Sequence, residues 1–303
     1  MHIETIQLWE EHPQVTLTAY IPYEVAQEGP SRPKPALLIL PGGGYLYTSD
    51  REAEPVALRF ASLGYRTFVL HYNTYYGAAP VTAEQQNNPN PHVKFPQPLY
   101  DAAKAIVTIR NRAEEWNIAS DQIAVAGFSA GGHLAASIGV HWNRADVLDK
   151  LGVNQEATKP NALILGYALI DNQLALQWMT EEDKEKFTGL YGEIFKAMFG
   201  EKEATAEELK QLTPSHYVGA HTPPTFLWHT SEDDLVLSAH SYSFALELSK
   251  HRIPHELHVF EKGGHGLSLA DATTSTHAGH INGAASQWVE LAHHWLQLHF
   301  TTE

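Results

Sequence analysis

The sequence Gly-Phe-Ser-Ala-Gly at residues 127–131 constrains the fold more than any other stretch of this chain. It places a serine between two glycines, directly after the apolar run 122–126 and directly before a helix-forming segment. A strand that turns sharply into a helix strains the central residue and brings neighbouring backbone close, so the flanking positions must lack bulky side chains. The pattern predicts that Ser129 stands exposed above a sheet edge. Taken alone, it is equally typical of a glycine-rich turn whose serine caps a helix.

A second glycine run follows the apolar stretch 35–40. That stretch predicts a buried central strand, and glycines after it allow the main chain to approach a ligand closely. The N–H groups of Gly43, Gly44 and Ala130 are therefore predicted to form an oxyanion hole beside the serine. A phosphate-binding loop is disfavoured, because the run lacks a Lys-Ser or Lys-Thr ending and a G-x-G-x-x-G spacing.

Two adjacent aspartates follow the apolar stretch 224–230, which predicts a late strand. Asp233 is the preferred acid, because in folds with such a serine turn the acid is commonly followed three residues later by a valine that returns to the core, and Val236 stands at that offset. Asp234 is the alternative. Either aspartate could instead cap the helix expected to begin near residue 238.

His265 is the candidate general base. The chain has 19 histidines, so the residue type alone is a weak signal. Its position is informative, because it lies in a glycine-rich loop after the predicted strand 256–260 and completes the chain order serine, aspartate, histidine. His133 is too near the serine in sequence to reach around to its oxygen, and is expected on the helix surface or behind the site.

These motifs resemble those of α/β-hydrolases of the esterase and lipase class, and more narrowly of bacterial carbohydrate esterases such as acetyl-xylan and feruloyl esterases. The resemblance covers nearly the whole chain. Two positions depart from the usual pattern: Pro41 replaces the histidine of a His-Gly-Gly-Gly motif, and Leu237 stands where a proline often follows the acid. The resemblance rests on Pro-Gly-Gly-Gly-Tyr at 41–45, Ser-Asp-Arg-Glu at 49–52, the segment 127–134, the segment 223–230 and Gly-Gly-His-Gly at 263–266.

The resemblance implies an α/β-hydrolase fold, in which a mostly parallel central sheet carries helices on both faces and antiparallel strands at its N-terminal side. We expect one domain over residues 1–303, with 171–212 as a small helical cap insertion. Its aromatic residues, which include Trp178, Phe187 and Tyr191, either contact substrate or only attach the insertion to the core. The segment 75–96 lacks periodicity and is expected to be a loop that roofs the site.

The function implied is that of a serine carboxylic-ester hydrolase that acts on short-chain acyl esters, and on acetylated or acylated carbohydrates in particular. Ser129, His265 and Asp233 would form the triad and pass through a covalent acyl-enzyme. Tyr45 and Tyr47 are predicted to bind the substrate. No cofactor or metal is expected. The alternatives are an exopeptidase-like serine hydrolase of the same fold and a non-catalytic binding protein.

Hydrophobic periodicity supports this architecture along the chain. Alternation in 2–9 and 14–21 predicts two antiparallel leading strands, each with one buried face. Further strands are expected at 65–72 and 161–170. Helices are expected at 51–63, 98–117, 132–141 and 281–299.

Composition limits the partners. A formal net charge of −15 over 303 residues argues against nucleic acid and anionic membranes, which both require basic surface. The chain has no cysteine, which excludes disulfides. Its first residues lack a basic region followed by an apolar one, so we expect a cytoplasmic protein. The expected partner is a small-molecule ester, and a homodimer is the commonest assembly for such a chain.

Overall fold

The computed structural model describes residues 1–24, 32–172, 180–200 and 204–300. The strands are β1 His2–Gln7, β2 Thr16–Ile21, β3 Lys34–Leu40, β4 Tyr47–Thr48, β5 Arg66–His71, β6 Gly77–Ala78, β7 Ile118–Phe128, β8 Ala162–Gly166, β9 Thr225–Thr230 and β10 His255–Phe260. The helices are α1 Glu54–Ser62, α2 Ala83–Asn87, α3 Gln97–Asn111, α4 Ser129–His141, α5 Ala145–Leu151, α6 Gln155–Thr158, α7 Glu181–Phe199, α8 Ala206–Gln211, α9 Ala239–Lys250 and α10 Trp288–Phe300. Short 3₁₀ segments lie at Asp50–Glu52, Pro214–Tyr217, Ala278–His280 and Ala285–Gln287.

Within the described residues, eight strands form one mixed sheet in the order β1-β2-β5-β3-β7-β8-β9-β10. The pairs β1/β2 and β2/β5 are antiparallel, and the other neighbours are parallel. The predicted α/β-hydrolase sheet with antiparallel leading strands is therefore confirmed. The alternation predicted for the first strand is present but shallow: Glu4 and Ile6 of β1 are partly buried and the following Leu8 is buried, whereas Ile3, Thr5 and Gln7 are exposed.

Helices cover both faces of the sheet, which explains why its central strands are apolar without alternation. Successive residues of β3 contribute to opposite cores, as the two-residue period of a strand requires. Leu38 belongs to the core beneath α3 and α4, whereas Ile39 belongs to the core beneath α1 and α10. The sheet is therefore buried between two apolar layers.

Two predicted segments differ in detail. The expected helix 51–63 is divided into the 3₁₀ turn Asp50–Glu52 and α1, because Pro55 is tolerated only in the first turn of a helix. The expected loop 75–96 contains the short strand β6 and the helix α2. Helix α2 begins with a capping box, in which Thr82 and Gln85 satisfy each other's backbone N–H groups.

The ends of the central strands lie at one edge of the sheet. Leu40, which precedes the glycine run, pairs with Gly127, and Thr230, which precedes the acidic pair, pairs with Phe260. Loops that follow parallel strands emerge at the same edge, and this edge is where open α/β sheets bind ligands. The fold therefore gathers distant motifs at one place.

The predicted cap lies between β8 and β9 and contains α7 and α8. Tyr191, Met198 and Phe199 are buried, and the last two join the core. The prediction for Trp178 lies outside the described residues, as does that for the side chain of Phe187. No helix in the described parts of the chain is both long and apolar enough to pass through a bilayer.

Candidate active site

Ser129 lies at the point where β7 turns directly into α4. Its φ angle of 52° is in the left-handed region, which is strained for a residue with a side chain. The flanking glycines are required by close packing. A Cβ atom at Gly127 would collide with the carbonyl oxygen of Gly131, and one at Gly131 would collide with that of Leu40. The turn thus holds the serine hydroxyl at the sheet edge.

The structure brings Ser129, His265 and Asp233 into one hydrogen-bonded chain. The Ser129 hydroxyl lies 2.9 Å from Nε2 of His265. On the other side of the ring, Nδ1–H donates to Oδ2 of Asp233 at 2.7 Å. This is the arrangement in which an imidazole can accept the serine proton while a carboxylate fixes its tautomer.

Asp233, rather than Asp234, is the aspartate that reaches the histidine. Its side chain is buried, whereas Asp234 is exposed. Its second oxygen, Oδ1, accepts the backbone N–H groups of Leu235 and Val236 at 3.1 and 2.8 Å. Asp233 therefore caps the loop that follows it, and the loop in turn orients the carboxylate toward His265.

The environment shifts the pKa values of this pair in opposite directions. Burial alone would raise the pKa of Asp233, but the charge of His265 and hydrogen bonds from His229 and His265 outweigh it and lower that pKa. Burial alone would lower the pKa of His265, but the charge and hydrogen bond of Asp233 outweigh it and raise that pKa. The imidazole is thus prepared to carry a proton.

Ser129 and His265 line a cavity of about 190 Å³ at the sheet edge. The predicted oxyanion-hole residues Gly43, Gly44 and Ala130 line the same cavity. One wall is apolar and comes from helix α7 and from the segments after β8 and β9. It consists of Leu169, Leu190, Tyr191, Ile194, Leu235 and Val236. An acyl group fits the chemistry of this wall.

The two tyrosines predicted to bind substrate differ in position. Tyr47 lies at the cavity and is 37% exposed. For Tyr45 the prediction is wrong, because its side chain is buried and does not line the cavity. Its hydroxyl bonds to Nδ1 of His133 at 2.7 Å, and Nε2 of His133 bonds to the Leu212 carbonyl at 2.8 Å. His133 therefore lies behind the site and links the glycine loop to the end of the cap.

The prediction that segment 75–96 roofs the site is also wrong, since none of its residues lines the Ser129 cavity. The segment packs against the cap instead. The N–H group of Phe95 donates to the carbonyl of Met198, and Lys94, Phe95 and Pro96 line a separate cavity of about 330 Å³. Among the described residues, no cluster of three or more histidines or carboxylates could hold a metal ion.

Comparison with known proteins places this geometry in a family. Residues 25–248 match the BD-FAE family. The chain belongs to this family. It is 32% identical over 238 residues to endo-1,4-beta-xylanase B of Butyrivibrio fibrisolvens. The aligned region covers 78% of this chain and 33% of that protein. The chain spans between 33 and 57% of the length of the curated relatives it matches.

Solved structures extend the likeness of this BD-FAE chain over its whole length. The carboxylesterase Cest-2923 of Lactobacillus plantarum is 25% identical, with a TM-score of 0.80 and 100% of both chains covered. The acetyl ester-xyloside bifunctional hydrolase of Caldicellulosiruptor lactoaceticus is 31% identical, with a TM-score of 0.72 and 97% and 96% of the two chains covered. The chain is thus an α/β-hydrolase of the esterase class.

Two residues of the BD-FAE site were not assigned from the sequence. His229 is fully buried, and its Nε2 lies 2.7 Å from the Val236 carbonyl and 3.2 Å from Oδ2 of Asp233. Both partners are acceptors, so Nε2 carries a proton and supports the acid. The sequence signal for this role is a histidine that directly follows the apolar residues Phe-Leu-Trp of a buried strand.

The second unassigned residue is Glu52, whose buried carboxylate lies at the cavity. It accepts hydrogen bonds from the N–H group of Gly42 at 2.8 Å and from the hydroxyl of Tyr167 at 2.6 Å. Glu52 ends the Ser-Asp-Arg-Glu motif on which the carbohydrate-esterase resemblance partly rests, but the motif carries no sign of these contacts.

Proposed function

We propose that this chain is a serine carboxylic-ester hydrolase that cleaves short-chain acyl esters, with acetylated or acylated carbohydrates as its substrates. The observation that carries the proposal is the hydrogen-bonded chain from Ser129 through His265 to Asp233, which opens on a cavity lined by glycine backbone. This arrangement provides a nucleophile, a base and donors for a developing alkoxide in one place.

The proposed reaction proceeds through a covalent acyl-enzyme. Nε2 of His265 takes the Ser129 proton as the serine oxygen attacks the ester carbonyl, and Asp233 stabilises the resulting imidazolium. Backbone N–H groups of Gly43, Gly44 and Ala130 bind the alkoxide of the tetrahedral intermediate. The imidazolium then protonates the leaving alcohol. Water, deprotonated by the same histidine, releases the acyl group.

The size and lining of the cavity support a short acyl group. Its volume of about 190 Å³ is below the roughly 300–1,000 Å³ of sites for drug-sized ligands. The apolar wall formed by α7 suits an acyl chain, and the half-exposed ring of Tyr47 offers a face on which a sugar can pack. The names of the xylanase and the acetyl ester-xyloside hydrolase support a carbohydrate alcohol.

The exopeptidase alternative receives less support from the cavity. Such an enzyme needs a charged side chain to hold a peptide terminus. Glu52 is the one carboxylate among the described lining residues, and both of its oxygens already accept hydrogen bonds. Arg51 donates to the carbonyls of Gly266 and Thr274. Most polar atoms of these two side chains are thus bonded to the protein itself, and Nη2 of Arg51 is the exception.

The decisive variant is Ser129→Ala. We expect it to fold as the wild type does, to lose about a millionfold in turnover of p-nitrophenyl acetate, and to resist a fluorophosphonate probe that labels the wild type. Ser249→Ala, at an exposed position of α9, is the matched control and should retain full activity. Near wild-type rates in Ser129→Ala would show that another group is the nucleophile.

A substrate panel tests the finer part of the proposal. It compares acetylated xylo-oligosaccharides, feruloyl esters, simple acyl esters of increasing chain length and aminoacyl amides. We expect the highest kcat/KM for acetylated sugars. Faster cleavage of long-chain simple esters would remove the carbohydrate proposal, and faster cleavage of amides would favour the exopeptidase.

A further inference from the structure

Glu52 is a buried carboxylate at the cavity that the Ser-His-Asp triad does not use. Its side chain is only 4% exposed. Burying a carboxylate costs free energy unless hydrogen bonds and neighbouring positive charge compensate for the lost water. Its charge also acts on the His265 imidazole, to which Asp233 is already bonded.

The contacts of Glu52 join two loops of the site. Oε2 accepts the N–H group of Gly42, the residue before the two predicted oxyanion glycines, at 2.8 Å. Oε1 accepts the hydroxyl of Tyr167 at 2.6 Å. The oxygen of Tyr167 then accepts the N–H group of Ser268, in the loop after His265, at 2.9 Å. A single carboxylate therefore braces the glycine loop against the histidine loop.

Tyr167 also contacts the histidine directly. Its ring lies edge-on to the ring of His265, with the centroids 5.2 Å apart and the planes at 74°. The loop is held from a second side, because the hydroxyl of Ser268 donates to the backbone carbonyl of Arg51 at 2.7 Å. Loss of the Glu52 carboxylate would release both the glycine loop and the tyrosine that packs on the imidazole.

We propose that Glu52 is a positioning residue for the ester hydrolysis. Through Gly42 it orients the oxyanion glycines, and through Tyr167 it orients the His265 ring. Its own negative charge stabilises the His265 imidazolium. This inference rests on the proposed function of the site.

The electrostatic part of the proposal has a definite sign. Burial lowers the pKa of His265, and Asp233, Glu52 and Asp234 raise it, in decreasing order. Removing the Glu52 charge lowers this pKa, so a neutral, active base persists to lower pH. The maximal rate falls at the same time, because the imidazolium formed in the transition state loses a stabilising charge. Among the described residues, Tyr167 also packs against the ring, Arg51 bonds to the carbonyl of the next residue, Gly266, and His229 faces the Asp233 carboxylate from the other side.

The test compares the pH–rate profiles of full-length variants between pH 5 and 9, with p-nitrophenyl acetate as substrate. Glu52→Gln removes the charge with little change of shape, and Tyr167→Phe removes only the hydroxyl that contacts Glu52. The double variant completes a mutant cycle. Asp50→Asn is the matched control, because it removes the same charge from an exposed position of the same 3₁₀ turn.

We expect Glu52→Gln to lower kcat by about tenfold, to leave KM within about twofold, and to move the acid limb of kcat/KM to lower pH. Tyr167→Phe should lower kcat by a smaller factor. The double variant should lose less than the product of the two single losses, because both changes break one network. Asp50→Asn should match the wild type in kcat and in the acid limb.

The inference is overturned if a folded Glu52→Gln protein keeps the wild-type kcat and the wild-type acid limb of kcat/KM. A lower melting temperature alone would then show that Glu52 has only a structural role. If Glu52→Gln does not fold, a Tyr167→Phe variant with wild-type kcat and KM overturns it instead. These results differ from failure of the proposed function. In that case the wild type itself would cleave no ester, or Ser129→Ala would retain activity, and the inference would fail with it.

Discussion

At the level of single residues, the charge state of His265 decides the rate of the proposed reaction. Asp233 raises the pKa of this histidine against the effect of burial, so its imidazole remains protonated to higher pH than an ordinary histidine does. Only the neutral imidazole can accept the serine proton. We therefore expect kcat/KM for p-nitrophenyl acetate to fall as pH drops, with an apparent pKa above about 6.5. A rate that is constant between pH 5 and 8 would contradict the role of His265 as base.

His229 gives a second prediction at this scale. His229→Leu removes a buried donor from the carbonyl of Val236 and one of the two donors that face Oδ2 of Asp233, which keeps its hydrogen bond from His265. We expect a loss of about 1–3 kcal/mol in the free energy of unfolding, measured by urea denaturation, and a fall in kcat of about tenfold. His216→Leu, at an exposed position, is the control and should change the stability by less than about 0.5 kcal/mol. Equal behaviour of the two variants would show that His229 does not support the acid.

Single residues also show which parts of the site the sequence encodes. Ser129 and His265 occur in short glycine-rich motifs, and their order along the chain points to a triad. The structural role of Glu52 depends on a hydrogen bond to a tyrosine 115 residues away, which no local spacing records. Tyr45 was misassigned for a related reason: its place after the glycine run is visible, but its burial against His133 is not.

At the level of elements, hydrophobic patterns predicted the central strands well, because strands buried on both faces are apolar throughout. The errors lie where local chemistry overrides the pattern. Pro55 delays the start of α1, and the capping box of Thr82 and Gln85 nucleates α2 within a segment that has no apolar stripe. Only tertiary packing distinguishes a segment that covers the site from one that packs against the cap.

The turn from β7 to α4 yields a prediction about backbone packing. A Cβ atom at Gly131 meets the carbonyls of Leu40 and Pro41, which cannot move without displacing β3. We expect Gly131→Ala to lower the free energy of unfolding by about 3 kcal/mol. Gly192→Ala, in α7, is the matched control, since nothing lies within 4 Å of its added Cβ. Alanine there should raise the stability by up to about 1 kcal/mol. Urea denaturation of both proteins checks the contrast, which would be absent if the turn had room for a methyl group.

Helix α7 gives a prediction about acyl length. Ile194 lies in the apolar wall of the cavity and packs against Gly44. Ile194→Ala enlarges the space for the acyl chain, so we expect the ratio of kcat/KM for p-nitrophenyl hexanoate over acetate to rise by about tenfold. Leu246→Ala, at a position of α9 that is 56% exposed, should leave the ratio unchanged. An unchanged ratio in a folded Ile194→Ala protein would mean that α7 does not contact the acyl group.

At the level of the whole molecule, the site exists only because the sheet brings five separate segments to one edge. They supply the glycine run, the 3₁₀ turn with Glu52, the serine turn, the acid loop and the histidine loop, and α7 completes the wall. The cap is fixed to this assembly at the acid loop, where the Tyr191 hydroxyl donates to the carbonyl of Leu235 at 2.8 Å. Leu235 also donates its N–H group to Asp233, the carboxylate that bonds to His265. The cap therefore contacts the loop that orients the triad acid.

The charge of the whole chain leads to a prediction about its solubility. The formal net charge is −15 at pH 7 with the 19 histidines neutral, so protonation of imidazoles cancels much of this charge as pH falls. Burial lowers the pKa of His133, His141 and His280 to about 4 and that of His240 to about 3, and these four stay neutral at pH 5.5. The remaining histidines still bring the molecule closer to zero net charge, at which mutual repulsion between molecules is weakest. We therefore expect more light scattering at pH 5.5 than at pH 8, at constant ionic strength and with circular dichroism confirming the fold at both values. A flat scattering profile over this interval would show that the surface does not acquire the expected positive charge.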